Sequence, residues 1–204
     1  MSSGAGMRVR MSPDSRREQL LELGVRMLST RSLDELTIEM LAEEAGISRG
    51  LLYHYFANLK DLRRAVCRRA ADRLIEVTAP APEGEPLDRL ARSLNAYVDY
   101  VVANFAGYTS LVRGAASGDE DLQEIYEEAR AALTDRIFDV AESDGVLEAF
   151  TVTDTPAVRL MVRGWSAMAE EVVISWVRDD RGVTRVEVLA MLASALPGVL
   201  PGSA

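Results

Sequence analysis

Residues 37–62 read T-I-E-M-L-A-E-E-A-G-I-S-R-G-L-L-Y-H-Y-F-A-N-L-K-D-L and hold the only histidine, His54, and the only lysine, Lys60, of a 204-residue chain. Ile38, Leu41, Ala42 and Ala45 recur at helical intervals, which gives a short helix one apolar face, and Thr37 is placed to cap it. Gly46 can take the left-handed conformation that ends this helix and turns the chain, with Ile47 plugging the corner. Ser48 then caps a second helix, whose buried side holds Leu51 or Leu52 with Tyr55 and Phe56. Arg49, Gly50, Tyr53 and His54 are left facing outward. A surface of one long cation, one small residue, a phenol and an imidazole can enter a DNA major groove, where Arg pairs with guanine O6 and N7 and hydroxyls take phosphate oxygens. Asn58 and Asp61 have the spacing of a capping box that opens a third helix, with Lys60 in its first turn where a phosphate could dock.

At these residues the segment resembles the DNA-binding signature of the TetR family of bacterial transcriptional regulators. The shared elements are the Thr37 cap, the turn Ala45-Gly46-Ile47-Ser48, the recognition stretch from Gly50 to Phe56, and Lys60 at the next helix start; they span about an eighth of the chain. The resemblance implies an all-α fold: an N-terminal three-helix helix-turn-helix DNA-binding domain followed by a helical ligand-binding and dimerisation domain. The expected DNA contacts are Thr37, Ser48, Arg49, Gly50, Leu51, Tyr53, His54 and Lys60. The expected partners are a palindromic double-stranded operator, a second copy of the chain and a small-molecule effector.

Net charge is −9, which at first opposes DNA binding. Residues 1–76 hold 13 Arg or Lys against 11 Asp or Glu, or +2, whereas the rest holds 10 against 21, or −11, so the acid lies away from the reader. Arg8, Arg10, Arg16 and Arg17 add positive charge ahead of the first helix, as an arm toward phosphates or as a solvated tail. No apolar run approaches the roughly 18 residues that span a bilayer, and the start lacks an apolar signal core, so a soluble cytoplasmic protein is expected. The single cysteine, Cys67, excludes an intrachain disulfide and any cysteine cluster for zinc; it reads as a small core residue rather than a redox sensor. No cofactor or metal is expected.

Ser12-Pro13-Asp14 predicts a helix start, with Leu20, Leu21, Val25 and Leu28 as its buried stripe. The helix from Asn58 continues through Leu62, Val66, Ala70, Leu74 and Ile75 to T-A-P-A-P-E-G-E-P at 78–86, where three prolines and a glycine set a boundary. We therefore divide the chain at 76, with the linking helix at about 58–76 and the second domain at 77–204. There the pattern predicts helices at about 87–105, 107–116, 120–143, 154–178 and 184–196, with A-F-T-V-T at 149–153 as loop.

Two features of this second part bear on function. Tyr97, Tyr100, Phe105, Tyr108, Tyr126 and Phe138, with Met161 and Trp165, form an aromatic-rich set that is either ordinary core or the lining of an effector pocket; buried phenols require partners. Arg113 is a candidate anchor for an acidic ligand or a partner for an acid such as Glu124. In the last two helices, Val158, Met161, Val162, Trp165, Met168, Ala169, Val172 and Trp176 form one apolar stripe, and Val186, Leu189, Leu192 and Leu196 another. From these, Val158, Val162, Met168, Val172, Trp176, Leu189, Leu192 and Leu196 are the expected dimer contacts, in the four-helix interface that the resemblance implies.

The sequence argues against an enzyme, with no phosphate-cradling glycine loop, no nucleophile elbow, no metal cluster and no relay using a second histidine. The remaining alternative is an effector-independent architectural or division-linked DNA-binding protein of the same fold. An interior without a ligand-sized cavity would favour it.

Overall fold

The computed structural model describes residues 12–81, 83–138 and 152–200, and within them all regular structure is helical. The reading head comprises α1 (Pro13–Met27), a 3-10 turn at Leu33–Glu35, α2 (Ile38–Glu44) and α3 (Arg49–Tyr55), with α4 (Leu59–Val77) leading away from it. The body comprises α5 (Pro86–Ala103), α6 (Phe105–Ala116), α7 (Glu120–Asp135), α8 (Pro156–Arg178) and α9 (Arg185–Val199).

Side-chain caps fix the starts of these helices. Ser12 Oγ accepts from the Ser15 amide at 3.1 Å, Thr37 Oγ1 from Met40 at 3.2 Å, Ser48 Oγ from Leu51 at 3.2 Å and Asn58 Oδ1 from Asp61 at 2.9 Å. The return bond at α4 differs from an ordinary capping box, because the Asp61 carboxylate accepts from Ala57 N–H at 2.9 Å rather than from the cap residue itself. Between α2 and α3, Gly46 has φ +63°, Ile47 N–H donates to Ala42 O at 3.0 Å, and Gly46 N–H donates to Glu43 O at 3.0 Å. These are the paired bonds of a Schellman stop, and a Cβ in that conformation would strain it.

The head closes on Leu20, Leu36, Leu41, Leu52, Phe56, Leu62 and Val66, each almost wholly buried. Arg63 of α4 ties the connecting turn to the head by donating to the carbonyls of Leu36, at 3.1 Å, and Asp34. The apolar core does not stop at the expected boundary. Leu111 of α6 and Leu122, Ile125 and Ala129 of α7 join the same cluster, so the head rests on α6 and α7. Gly107 N–H donates to Leu28 O at 3.0 Å where α6 crosses the end of α1, and a Cβ on Gly107 would lie 2.6 Å from Leu28 Cβ.

Helix bounds depart from the sequence expectation in three places. The one-residue break between α5 and α6 falls at Asn104 instead of 106; α7 is helical to Asp135; and α9 runs on to Val199 with Pro197 in its last turn. Residues 136–138 form a turn where helix was expected; 139–143 and most of the expected loop at 149–153 lie outside the described residues, although Val152 is non-helical and buried. α8 and α9 are clamped by their tryptophans: Trp165 Nε1 donates to Leu192 O at 3.1 Å and Trp176 Nε1 to Val183 O at 2.8 Å. Among the described residues, no helix is long and apolar enough to cross a membrane.

Candidate nucleic-acid interface and internal cavity

The choice between Leu51 and Leu52 falls to Leu52, which is 0% exposed and packs with Phe56 beneath α3, whereas Leu51 is 40% exposed. Tyr55 is half-buried beside this core. Arg49, Gly50, Leu51, Tyr53 and His54 share the solvent face of α3. A Cβ at Gly50 would meet only Ser48 Oγ at 3.9 Å. Nothing inside the protein demands glycine there. The hydroxyls of Thr37 and Ser48 are engaged as caps.

Both principal cations of the face have internal partners. Arg49 Nη1 lies 3.2 Å from Glu39 Oε1 on α2, and Lys60 Nζ lies 2.7 Å from Asp121 Oδ2 on α7. The Asp121 hydrogen bond raises the Lys60 pKa, and the same bond lowers that of Asp121. Arg16 and Arg17 belong to α1 instead of preceding it. Arg16 bonds Gln19, and Arg17 lies 5.3 Å from the centre of the Phe56 ring. Arg8 and Arg10 lie outside the described residues.

A cavity of about 170 Å³ lies among the helices of the body and the sides of α1, at Val25 and Leu28, and of α4 that face them. Its lining follows α5 from Arg89 to Asn104, about 22 Å of helix at 1.5 Å per residue, and includes Cys67, Ala70, Ala71 and Leu74 of α4. Five of the expected pocket residues meet there: Tyr97, Tyr100, Tyr108, Tyr126 and Trp165. Their phenols form one chain of hydrogen bonds. Tyr97 and Tyr108 hydroxyls are 2.9 Å apart, Tyr108 and Tyr126 each donate to Glu170 at 2.8 Å, and Arg130 Nη1 donates to Tyr126 Oη at 3.2 Å. Tyr100 donates separately to Ala70 O of α4 at 2.7 Å. Burial pushes Tyr100 and Tyr126 up to about 12, and Tyr97 and Tyr108 well above the ordinary phenol value, so all four remain neutral donors. Burial likewise pushes the Cys67 thiol up to about 12, which fits a core thiol and not a redox sensor.

Four expected pocket residues are placed elsewhere. Arg113 is exposed on α6, and Glu124 pairs with Arg64 at 3.3 Å instead. Met161 is 43% exposed on the outer side of α8. Phe105 packs in the α5–α8–α9 core beside Tyr97 and Tyr108. Phe138 lies in the core under Arg159, whose guanidinium is 4.5 Å from its ring centre. The cavity also draws on residues the sequence did not single out: Glu170, Arg130, Arg89 and Arg136. The available signal was Glu170 itself, an acid flanking the apolar stripe of α8 in a chain with several phenols to satisfy.

The expected dimer contacts need a similar correction. Val158, Val162, Leu192 and Leu196 are almost fully buried within the protomer, because α8 and α9 pack on each other and on α5. Met168 is exposed, and Val172, Trp176 and Leu189 are half-buried. The apolar side chains that face solvent are Leu160, at 68% exposure, Met161 and Met168 on α8, and Val186 and Met191 on α9. A period-3.6 stripe shows that one face is apolar; here, helix width puts a second apolar row outside the buried one.

Comparison with known proteins agrees with this architecture. The profile for bacterial regulatory proteins of the tetR family matches residues 20–66, and that for the tetracyclin repressor-like C-terminal domain matches residues 86–196. The HTH-type transcriptional activator FasR of Mycolicibacterium smegmatis is 25% identical over 178 residues, covering 86% of this chain and 78% of FasR. The HTH-type transcriptional repressor KstR2 of Mycobacterium tuberculosis is 42% identical over 55 residues, 27% of this chain and 28% of KstR2. The crystal structure of a tetR-family transcriptional regulator from Streptomyces coelicolor aligns with a TM-score of 0.76 at 31% identity, covering 93% of this chain and 82% of that one. These relatives regulate transcription and are not enzymes.

Proposed function

The chain belongs to the TetR family of transcriptional regulators and carries its helix-turn-helix, and we propose that it acts as a dimeric repressor released from a palindromic operator by a small molecule. Arg49 reads a base edge, with Tyr53 and His54 beside it in the groove, and Lys60 takes a phosphate. Two recognition helices in a two-fold dimer read half-sites one or more helical turns apart. The dimer face uses Leu160, Met161 and Met168 of α8 with Val186 and Met191 of α9, edged by Val172, Trp176 and Leu189. A solution mass of two chains checks that part.

The observation that carries ligand response is the cavity wall. It includes Cys67, Ala70, Ala71 and Leu74 on the same rigid helix that begins at the DNA face, so an occupant between α4 and α8 presses on the element that positions the head. Cys67 lies about 10 Å along α4 from Lys60 at 1.5 Å per residue. Occupancy shifts the population toward a dimer whose recognition helices no longer match adjacent grooves. A cavity of this kind counts against an effector-independent architectural protein.

The test uses reciprocity. A compound that enters the cavity, followed by a change in Trp165 emission, lowers operator affinity by the same factor as operator lowers the affinity for the compound. A compound that binds the cavity tightly and leaves operator affinity untouched overturns the mechanism.

A further inference from the structure

α4 and α7 face each other with opposite charge in register. Lys60, Arg64 and Arg68 stand four residues apart on α4, and Asp121, Glu124 and Glu128 stand three and four apart on α7. Lys60 pairs with Asp121 at 2.7 Å; Arg64 pairs with Asp121 at 3.4 Å and Glu124 at 3.3 Å; Arg68 lies 4.0 Å from Glu124 and bonds Glu128. The Arg64 and Arg68 side chains are 49% and 36% exposed beside α7. Lys60 is different: its side chain is 74% exposed, at the first turn of α4 next to the recognition helix, and its ammonium is nonetheless turned back onto Asp121.

The geometry points to an autoinhibitory contact: the carboxylate of Asp121 competes with DNA phosphate for the Lys60 ammonium. This rests on the reading of Lys60 as a phosphate contact. The ammonium has three donors and can hold both partners, but the Asp121 carboxylate neutralises its charge and draws it toward α7, so a phosphate outside the head gains its full attraction only as the Asp121 bond is given up. The displaced carboxylate then gathers a solution cation, which offsets the counterion that the phosphate releases. α7 also sets the contact by way of the ligand cavity. The helix face opposite Asp121, Glu124 and Glu128 carries Tyr126, Ala129, Arg130 and Leu133, which line the cavity, and Tyr126 is anchored to Glu170. Movement of α7 at the cavity therefore moves Asp121 against Lys60, a second route from ligand to DNA besides the tilt of α4.

The experiment measures binding of the full-length chain to a random-sequence 30-base-pair duplex across a salt series, so no operator is needed. Lys60→Met weakens binding about three- to tenfold and lowers the salt slope. Asp121→Asn tightens it about three- to tenfold and steepens the slope, by up to roughly 0.9 per phosphate contact. The double variant binds like Lys60→Met alone. Glu127→Gln removes the same charge from a residue of α7 paired with Arg163, and stays within about 1.5-fold of the parent. If Lys60→Met weakens binding while Asp121→Asn leaves it unchanged, the autoinhibitory contact is wrong and the phosphate role of Lys60 stands. If Lys60→Met changes nothing, the phosphate role fails and the contact with it. Tightening by Glu127→Gln equal to that by Asp121→Asn, or tightening that persists in the double variant, assigns the effect to long-range charge and overturns the proposal. Asp121→Ser repeats the measurement with a side chain too short to reach Lys60.

Discussion

The head and the body are built from the same material, short amphipathic helices of Leu, Val and Ala, yet one closes its interior and the other leaves a space. Around α1 to α4, Leu20, Leu36, Leu41, Leu52 and Phe56 are almost inaccessible to water. In the body the helices stand around a cavity of about 170 Å³, held apart by phenols that bond to one another and to Glu170 rather than filling the centre. A closed core makes a rigid probe whose outer face keeps its shape, which is what base reading demands. An open one, with its polar groups already paired, can accept a guest without first breaking the fold.

The contrast predicts unequal responses to substitution. The largest is in the head. Leu52→Ala removes a fully buried side chain from a core with no slack, and costs about 3 kcal/mol in urea unfolding at unchanged slope. A loss below about 1 kcal/mol would show that the head collapses around the hole and is not the tight unit described. The middle effect is in the body. Ser93, on the cavity wall, becomes Leu at a change within about 1 kcal/mol of the parent, because the added carbons enter existing space and do not overpack. A penalty as large as that at Leu52 would erase the distinction. The smallest effect tests the wall itself: native Cys67, with its thiol pushed up to about 12, stays unmodified by a thiol-disulfide reagent at pH 8 and reacts at once in denaturant. Rapid native labelling would mean that the cavity wall opens to solvent.

The head was almost fully legible in the sequence because its signals are local. Thr37, Gly46, Ser48 and Asn58 act within three residues of themselves, through caps and one turn, so their chemistry does not depend on distant packing. The body was legible as helices and only partly as a site. Tyr97, Tyr108 and Tyr126 were found as residues that need partners, but Glu170, which accepts from Tyr108 and Tyr126, is 44 or more positions away, and no local pattern links them. Phe105, Phe138, Met161 and Arg113 were misplaced for a related reason. Helical spacing tells which residues share a face, not which of several neighbouring helices that face meets. Half of the dimer stripe met the same ambiguity, since Val158, Val162, Leu192 and Leu196 are apolar whether they face a partner chain or, as here, their own helical neighbours. Lys60 and Asp121 lie 61 positions apart, and only the packing of α4 on α7 brings them together.

On the proposed ligand response, the Tyr97–Tyr108–Glu170–Tyr126 chain makes the body a thermometer for its occupant. A molecule that binds the folded chain alone raises its melting temperature, by about 2.7 kcal/mol of stability at 100 times the dissociation constant. For a chain of this length that is roughly 5–10 °C. Heating the protein with a library of small molecules would therefore find a proposed effector before any operator is known, and a hit that loses its shift in Glu170→Gln would have been held by that half-buried carboxylate.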